Sequence, residues 1–387
     1  MRILTAGGGS GGHVTPIVAV LGEVRGLQPE TEIRFWCDKN FLPQAHQIIS
    51  NFDADIKVES IMAGKLRRYA KLAWWRQLMR PFTIVLPNIR DTFKIAIGTI
   101  QSLVKLIVWR PDVIFCKGGF VCLPVGIAGA ILGIPLVIHD SDAHPGLTNR
   151  ILSRWARQIA TGAPLEYYDY PRHKTTYTGI PVRAGFAPVS QSKQQQLKEQ
   201  LGFRGDQPLV LITGGGLGAR RINDAAIYCQ DLFAGKQQVL HITGNDQYQT
   251  IVSQLKNDQK NYQVKPFISQ NIEQYLQAAD VVVARAGMTS LLELAALHKP
   301  SIIIPNAYLT GGHQVKNANV FASKDAIVVL DEEQFINNKN VFFTTINQLI
   351  TDEARKSKLA NAIASFAMPN AAKEVAKIVI DVAKASR

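Results

Sequence analysis

The first half of the chain alternates short apolar runs with longer segments of helical period. The runs lie at 3–6, 33–37, 113–116 and 136–139. Runs of this length with little polar alternation read as strands buried on both faces, as in a parallel sheet covered by helices. The pattern starts again in the second half, with runs at 209–213, 239–243, 281–284, 301–304 and 327–330. Between the halves it breaks at Gly179-Ile180-Pro181, and a Gln- and Lys-rich segment follows from Ser190 to Gln200. A domain boundary is placed at 183–190. The chain therefore reads as α/β: two doubly wound Rossmann-like domains facing across a cleft. They span 1–185 and 186–365, and a C-terminal helix at 366–387 could pack back on the N-terminal domain.

One stretch imitates a membrane span. Residues 120–138 run for 19 positions without a charge, near the length a spanning helix needs. Pro124, Pro135, Gly126, Gly129 and Gly133 interrupt it, so it reads as a helix ending near Gly133 and then a buried strand at 135–138. Residues 2–6 read as a buried strand rather than a leader. The four cysteines, at 37, 116, 122 and 229, form no CxxC pair and sit mostly in apolar runs. That argues against a disulfide framework or a zinc site and fits a reducing compartment.

Two glycine loops each sit between a strand and a helix. The first is Gly7-Gly8-Gly9-Ser10-Gly11-Gly12-His13; the second is Gly214-Gly215-Gly216-Leu217-Gly218-Ala219-Arg220. Glycine lets the backbone approach a ligand, and the following helix offers free N–H groups to an anion. Gly7, Gly9 and Gly12 also fit the dinucleotide fingerprint GxGxxG, and Asp38 ends the second strand where an NAD-binding acid would stand. Two features favour a group transferase instead. His13, at the helix start, is placed to act as a base on a sugar hydroxyl, and the second domain repeats the strand–loop–helix design. A helix-capping role is the alternative for His13.

The segment from Arg285 to Glu293, RAGMTSLLE, follows a strand and opens a helix. Its first turn, at Met288, Thr289 and Ser290, can hold a diphosphate through main-chain N–H groups. Glu293, one turn further in, can accept two ribose hydroxyls; an ordinary helix-face charge is the alternative. After the strand at 301–304 comes Gly311-Gly312-His313-Gln314-Val315-Lys316-Asn317. Its Gln314 and Asn317 suit neutral hydrogen bonding to a sugar.

Together these motifs resemble the bacterial MurG family, which adds N-acetylglucosamine to lipid I to make lipid II. The segments GGGSGGHVTP, KGGFVCLP, IPLVIHDSDAHPGLTNR, GIPVR, TGGGLGAR, RAGMTSLLELA and GGHQVKNA occur in this order, over nearly the whole chain. The resemblance implies a GT-B glycosyltransferase with UDP-N-acetylglucosamine and lipid I as partners and no cofactor. It implies that Ser10, Gly11 and Gly12 face the donor sugar and the acceptor diphosphate, with His13 near the acceptor hydroxyl. Arg183 and the turn from Met288 to Glu293 would hold UDP, the Ile268 main chain would face uracil, and Gln314 would bond the transferred sugar. The chain departs from the family at Asp140, where Glu is usual, with Asp142 in an Asn-or-Asp position. Gly216 and Leu217 stand where the family often has Ser and Gln, so only main-chain contacts to phosphate are expected from Gly216.

The formal net charge is +13, which calls for anionic partners. Ten basic residues and one acid, Asp91, fall within 61–110. Lys65, Arg67, Arg68 and Arg76 are interleaved there with Trp74, Trp75 and Phe82. A basic, aromatic-rich amphipathic stretch suits the surface of an anionic membrane. No nucleic-acid motif accompanies it, so no nucleic-acid partner is expected. The family resemblance implies a peripheral protein on the cytoplasmic face of the cell membrane.

The expected reaction is one inverting displacement at the anomeric carbon, with His13, assisted by Asp140 or Asp142, taking the proton. No metal site is expected. The alternatives are a transferase for another lipid acceptor, a UDP-N-acetylglucosamine 2-epimerase of the same architecture, and a non-enzymatic membrane scaffold.

Overall fold

The computed structural model describes all residues except 9–10, 67–78, 143–144, 184, 217, 257–260, 269, 308–311 and 387. The chain divides into two compact units. One comprises Met1–Arg183 with Leu309–His313 and Met368–Arg387; the other comprises Ala184–Tyr308 and Gln314–Ala367.

The first unit is built on seven strands: β1 (Arg2–Ala6), β2 (Glu32–Cys37), β3 (Lys57–Ser60), β4 (Val113–Cys116), β5 (Leu136–Asp140), β6 (Gln158–Thr161) and β7 (Thr175–Tyr177). They lie in the order β3-β2-β1-β4-β5-β6-β7, with every pair parallel. Its helices are α1 (Gly11–Leu27), α2 (Leu42–Phe52), α3 (Leu86–Val108), α4 (Cys122–Ile131) and α5 (Leu147–Leu152). The central strands are fully buried, as their apolar runs require.

The second unit has six parallel strands: β8 (Leu209–Thr213), β9 (Gln238–Ile242), β10 (Tyr262–Lys265), β11 (Val281–Ala284), β12 (Ser301–Ile303) and β13 (Val328–Val329), in the order β10-β9-β8-β11-β12-β13. Its helices are α6 (Gln191–Gln200), α7 (Arg220–Tyr228), α8 (Gln230–Phe233), α9 (Asn245–Val252), α10 (Ile272–Ala278), α11 (Met288–Ala296), α12 (His313–Ala322), α13 (Glu332–Asn337), α14 (Asn340–Thr351) and α15 (Glu353–Ala364).

The chain then returns to the first unit as α16 (Ala371–Lys384). Val375, Ala376, Val379, Ile380 and Ala383 join Ile17, Val20, Leu21 and Val24 of α1 in the core over the first sheet. The 120–138 stretch is the ten-residue helix α4, a turn with Gly133 at φ 64°, and strand β5. Among the described residues no helix is long and apolar enough to cross a membrane.

Helix α3 is amphipathic in the reverse sense. Its buried positions are Asp91, Gly98, Ser102 and Leu106. Its exposed positions include Leu86, Ile89, Phe93, Ile97, Ile100, Val104, Ile107 and Val108, recurring every three or four residues along one face. Close approach explains the small residue inside: a side chain at Gly98 would collide with the Met62 carbonyl.

Candidate active site

In both sheets the winding direction reverses beside the first strand, between β1 and β4 and between β8 and β11. Open parallel sheets bind ligands beyond the strands' C-terminal ends at this point. Each glycine loop leaves its sheet there.

In the first unit three strand ends stand side by side, with Ala6 opposite Cys116 and Cys116 opposite Ile138. They lead into Gly7-Gly8, Lys117-Gly118-Gly119 and Asp140-Ser141-Asp142 respectively. Helix α1 begins at Gly11 and Gly12, and His13 follows. The His13 Nε2 is 3.5 Å from where a Cβ on Gly119 would stand. Burial, then the Lys117 charge, push its pKa down to about 4, against the pull of Asp142 and of a hydrogen bond to the Lys117 main chain. Because that bond favours the charged ring, a ring N–H donates to the Lys117 carbonyl. At neutral pH the other ring nitrogen keeps its lone pair, the state a proton acceptor needs.

Asp140 is buried. The Tyr170 hydroxyl donates to its Oδ2 at 2.7 Å, and the Gly146 N–H donates at 3.3 Å. Burial pushes its pKa up to about 7, with Asp142 adding to the rise and Tyr170, Asn149 and Lys117 opposing it. Tyr168 stacks on Tyr170 at 5.6 Å and donates its hydroxyl to the Asp142 carbonyl at 2.7 Å. Thus His13, Asp140 and Asp142 meet at one sheet edge. Tyr168, Tyr170 and Lys117 were not among the sequence candidates. The tyrosines come from a loop without periodicity, and a lysine beside two glycines reads as a surface charge. His139 is buried in the field of Lys117, its Nε2 paired with the Gly179 carbonyl at 2.9 Å. Arg183 closes the first unit, half-buried. Asp38 is a turn residue whose Oδ1 accepts from the Phe41 N–H at 3.2 Å, at the entry to α2. Ser10 lies outside the described residues.

In the second unit, the glycine loop closes as a tight turn through a Gly218 N–H to Gly215 carbonyl bond of 2.9 Å. Gly218 has φ 75°, and any side chain there would strike the Thr243 carbonyl. Gly216 sits at the loop tip, with the Phe267 ring 4.0 Å from its Cβ position. Ile268, next to Phe267, is thereby brought to the same edge. Helix α11 starts at Met288 with Gly287 as its N-cap, which has no side chain to cap the helix. The Met288 side chain is buried, Thr289 and Ser290 are half-buried, and Glu293 stands half-buried one turn on. The Gln314 Oε1 accepts from the Asn306 N–H at 2.8 Å, which sets Gln314 beside the loop after β12. Asn317 is buried and donates to the Ala286 carbonyl at 3.1 Å. It therefore ties α12 to the loop after β11.

Of the basic and aromatic stretch, Lys65 is exposed and Phe82 is 81% exposed. Arg67, Arg68, Trp74, Trp75 and Arg76 lie outside the described residues. The sequence reading missed the apolar outer face of α3 that continues from Phe82. Its period was legible; what it faces was not.

Comparison with known proteins bears on both units. Residues 3–161 match the glycosyltransferase family 28 N-terminal domain, and residues 209–377 match the family 28 C-terminal domain. A Bacillus subtilis protein is 32% identical over 387 residues, covering 99% of this chain and 100% of its own length. A Bacillus cereus protein is 32% identical over 382 residues, 98% of each chain. Both are named UDP-N-acetylglucosamine--N-acetylmuramyl-(pentapeptide) pyrophosphoryl-undecaprenol N-acetylglucosamine transferase. Among solved structures, MurG of Acinetobacter baumannii superposes with a TM-score of 0.69 at 22% identity, covering 98% of this chain and 100% of that one. A Neisseria meningitidis UDP-GlcNAc 2-epimerase bound to UDP-GlcNAc also gives 0.69, at 13% identity with the same coverage. At these identities the likeness is one of fold.

Proposed function

The chain belongs to the MurG family of glycosyltransferases, within glycosyltransferase family 28, and on that premise we propose that it transfers N-acetylglucosamine from UDP-N-acetylglucosamine to the MurNAc 4-hydroxyl of lipid I, making lipid II. The observation that carries the reading is the His13 ring, held by the Lys117 carbonyl and lying in the field of Asp142. It gives the first sheet edge a neutral base beside a glycine loop. An epimerase shares the fold, but the full-length relatives at 32% identity are named as transferases.

In this reading the acceptor oxygen attacks the anomeric carbon while the bond to the β-phosphate oxygen breaks. UDP departs with the electron pair, and the hydroxyl proton passes to His13. Gly11, Gly12 and Ser10 receive the acceptor diphosphate. The approaching phosphates raise the His13 pKa towards neutrality, because anions favour the charged ring. Asp142 and Asp140 offset the imidazolium charge. On the second sheet edge, the main-chain N–H groups at Met288, Thr289 and Ser290 meet the diphosphate of the leaving group. Glu293 takes the ribose, Ile268 the uracil, Gln314 the sugar and Gly216 a phosphate oxygen. Arg183 adds a positive charge for UDP.

The outer face of α3 lies against the cytoplasmic leaflet, where the polyprenyl acceptor is anchored. Its apolar stripe enters the interface. Arg90 and Lys94, whose side chains are exposed, and exposed Lys65, Arg80 and Arg110 meet anionic headgroups. In this reading the partner of the basic surface is a membrane rather than nucleic acid.

The test is transfer of radiolabelled N-acetylglucosamine to lipid I in detergent micelles containing EDTA, with diacylglycerol as a parallel acceptor. Product on lipid I is expected. Product on diacylglycerol alone would overturn the acceptor, and no product on either would overturn the transferase.

A further inference from the structure

Lys117 directly follows β4 at the point where the first sheet reverses, and only 1% of it is exposed. A buried ammonium persists only with partners. This one bonds the Ser141 hydroxyl, and the charges of Asp140 and Asp142, on either side of Ser141, both favour its protonated form. Its main chain meanwhile holds the His13 ring. One residue therefore grips both proton-handling elements of the site, His13 through its carbonyl and the 140–142 segment through its ammonium.

Several groups face Lys117. His13 comes from α1, and His139 and Asp140 come from β5, with Asp142 just beyond. Cys122 comes from α4, and Tyr170, with Tyr168 stacked on it, stands behind Asp140.

We propose that Lys117 is the positioning residue of the proton-transfer step: it favours the anionic form of Asp140, favours the neutral form of His13 at rest, and orients the His13 ring. This deepens the transferase reading and rests on it. The signs follow from the charges. The Lys117 ammonium lowers the pKa values of both His13 and Asp140, so its removal raises both. The ammonium itself is held down to about 8 by burial, so it is lost as pH rises through that value.

The experiment compares pH profiles of kcat and kcat/KM for lipid I transfer in the wild type, Lys117→Met and Lys117→Arg. For the wild type we expect a bell whose alkaline limb is the Lys117 titration. In Lys117→Met the alkaline limb disappears and the acid limb moves up by about one pH unit. Its kcat at pH 7 falls by at least ~10-fold, while KM for the UDP-sugar stays within about twofold. Lys117→Arg recovers kcat at pH 7 and lacks the limb near 8, because its charge is permanent. Identical limbs in all three proteins, or a change confined to the UDP-sugar KM, would overturn the proposal. If Lys117→Met does not fold, Ser141→Ala carries the same test, since it frees the ammonium from its anchor; an unchanged kcat there overturns it. NMR titration of the His13 ring reads the pairing without turnover: a His13 pKa unchanged on loss of the Lys117 charge refutes it. A wild type inactive on lipid I would instead remove the transferase reading and leave the NMR result standing.

Discussion

The outward apolar face of α3 makes a quantitative prediction. Phe93, Ile100 and Ile107 are 66%, 63% and 67% exposed. Full burial of such a side chain is worth about 1.5–3 kcal/mol, so covering the exposed two-thirds gives roughly 1–2 kcal/mol each. Replacing all three by Gln should weaken membrane partitioning by about 4 kcal/mol, or roughly a thousandfold. Gln keeps helix propensity close to that of the residues removed. These positions make few packing contacts, so Tm should change little. Net charge is unchanged, so what binding survives should be electrostatic and should vanish at high salt, where the Debye length falls to about 3 Å. The assay is co-sedimentation with phosphatidylglycerol vesicles in low and high salt. If the triple variant sediments like the wild type in 1 M salt, this face does not enter the bilayer.

Asp140→Asn should abolish most transfer yet stabilise the fold at pH 8. The buried carboxyl titrates near 7 in the folded chain against about 3.9 when unfolded, so the folded state holds the extra proton between those values and loses stability as pH rises through them. The variant's advantage in chemical denaturation, ~2–4 kcal/mol at pH 8, should shrink towards pH 5; a constant gap would contradict this. His13→Ala should lower kcat by ~100-fold or more with UDP binding unchanged, read by steady-state kinetics; near-normal turnover would remove the base assignment. Glu293→Ala should weaken UDP binding by about tenfold in calorimetry, the loss of a charged hydrogen bond, and an equal affinity would exclude the ribose contact.

The central strands β1, β4, β5, β8, β9, β11 and β12 were legible because strands buried on both faces carry unbroken apolar runs. Strands β3, β6, β7 and β10 were not. Lys57–Ser60, Thr175–Tyr177 and Tyr262–Lys265 form sheet edges, where a strand pairs on one side only and polar residues are tolerated; Gln158–Thr161, beside an edge, is short with polar ends. The glycine loops and the RAGMTS turn were visible because tight strand-to-helix turns constrain residue type locally. Lys117, Tyr168 and Tyr170 were invisible for the opposite reason. Their roles arise from partners distant in sequence: Tyr170 reaches Asp140 across 30 residues and Lys117 reaches Ser141 across 24. Periodicity likewise marked one side of α3 as apolar without saying whether protein or lipid would cover it.

The return of α16 to the first unit sets the order in which the molecule can be finished. Val379 and Ile380 pack with Ile17 and Leu21, on the helix that carries His13. About 360 residues separate them, so at 5–20 residues per second the ribosome needs roughly 20–70 s to supply the second half of that contact. Over that interval the second unit, whose strands and helices run up to Ala367, is made in full, while the part of the first core that α16 supplies is still missing. The first sheet is therefore among the last parts to close, and the helix that carries His13 gains its final support only after the residues of the second unit have been made.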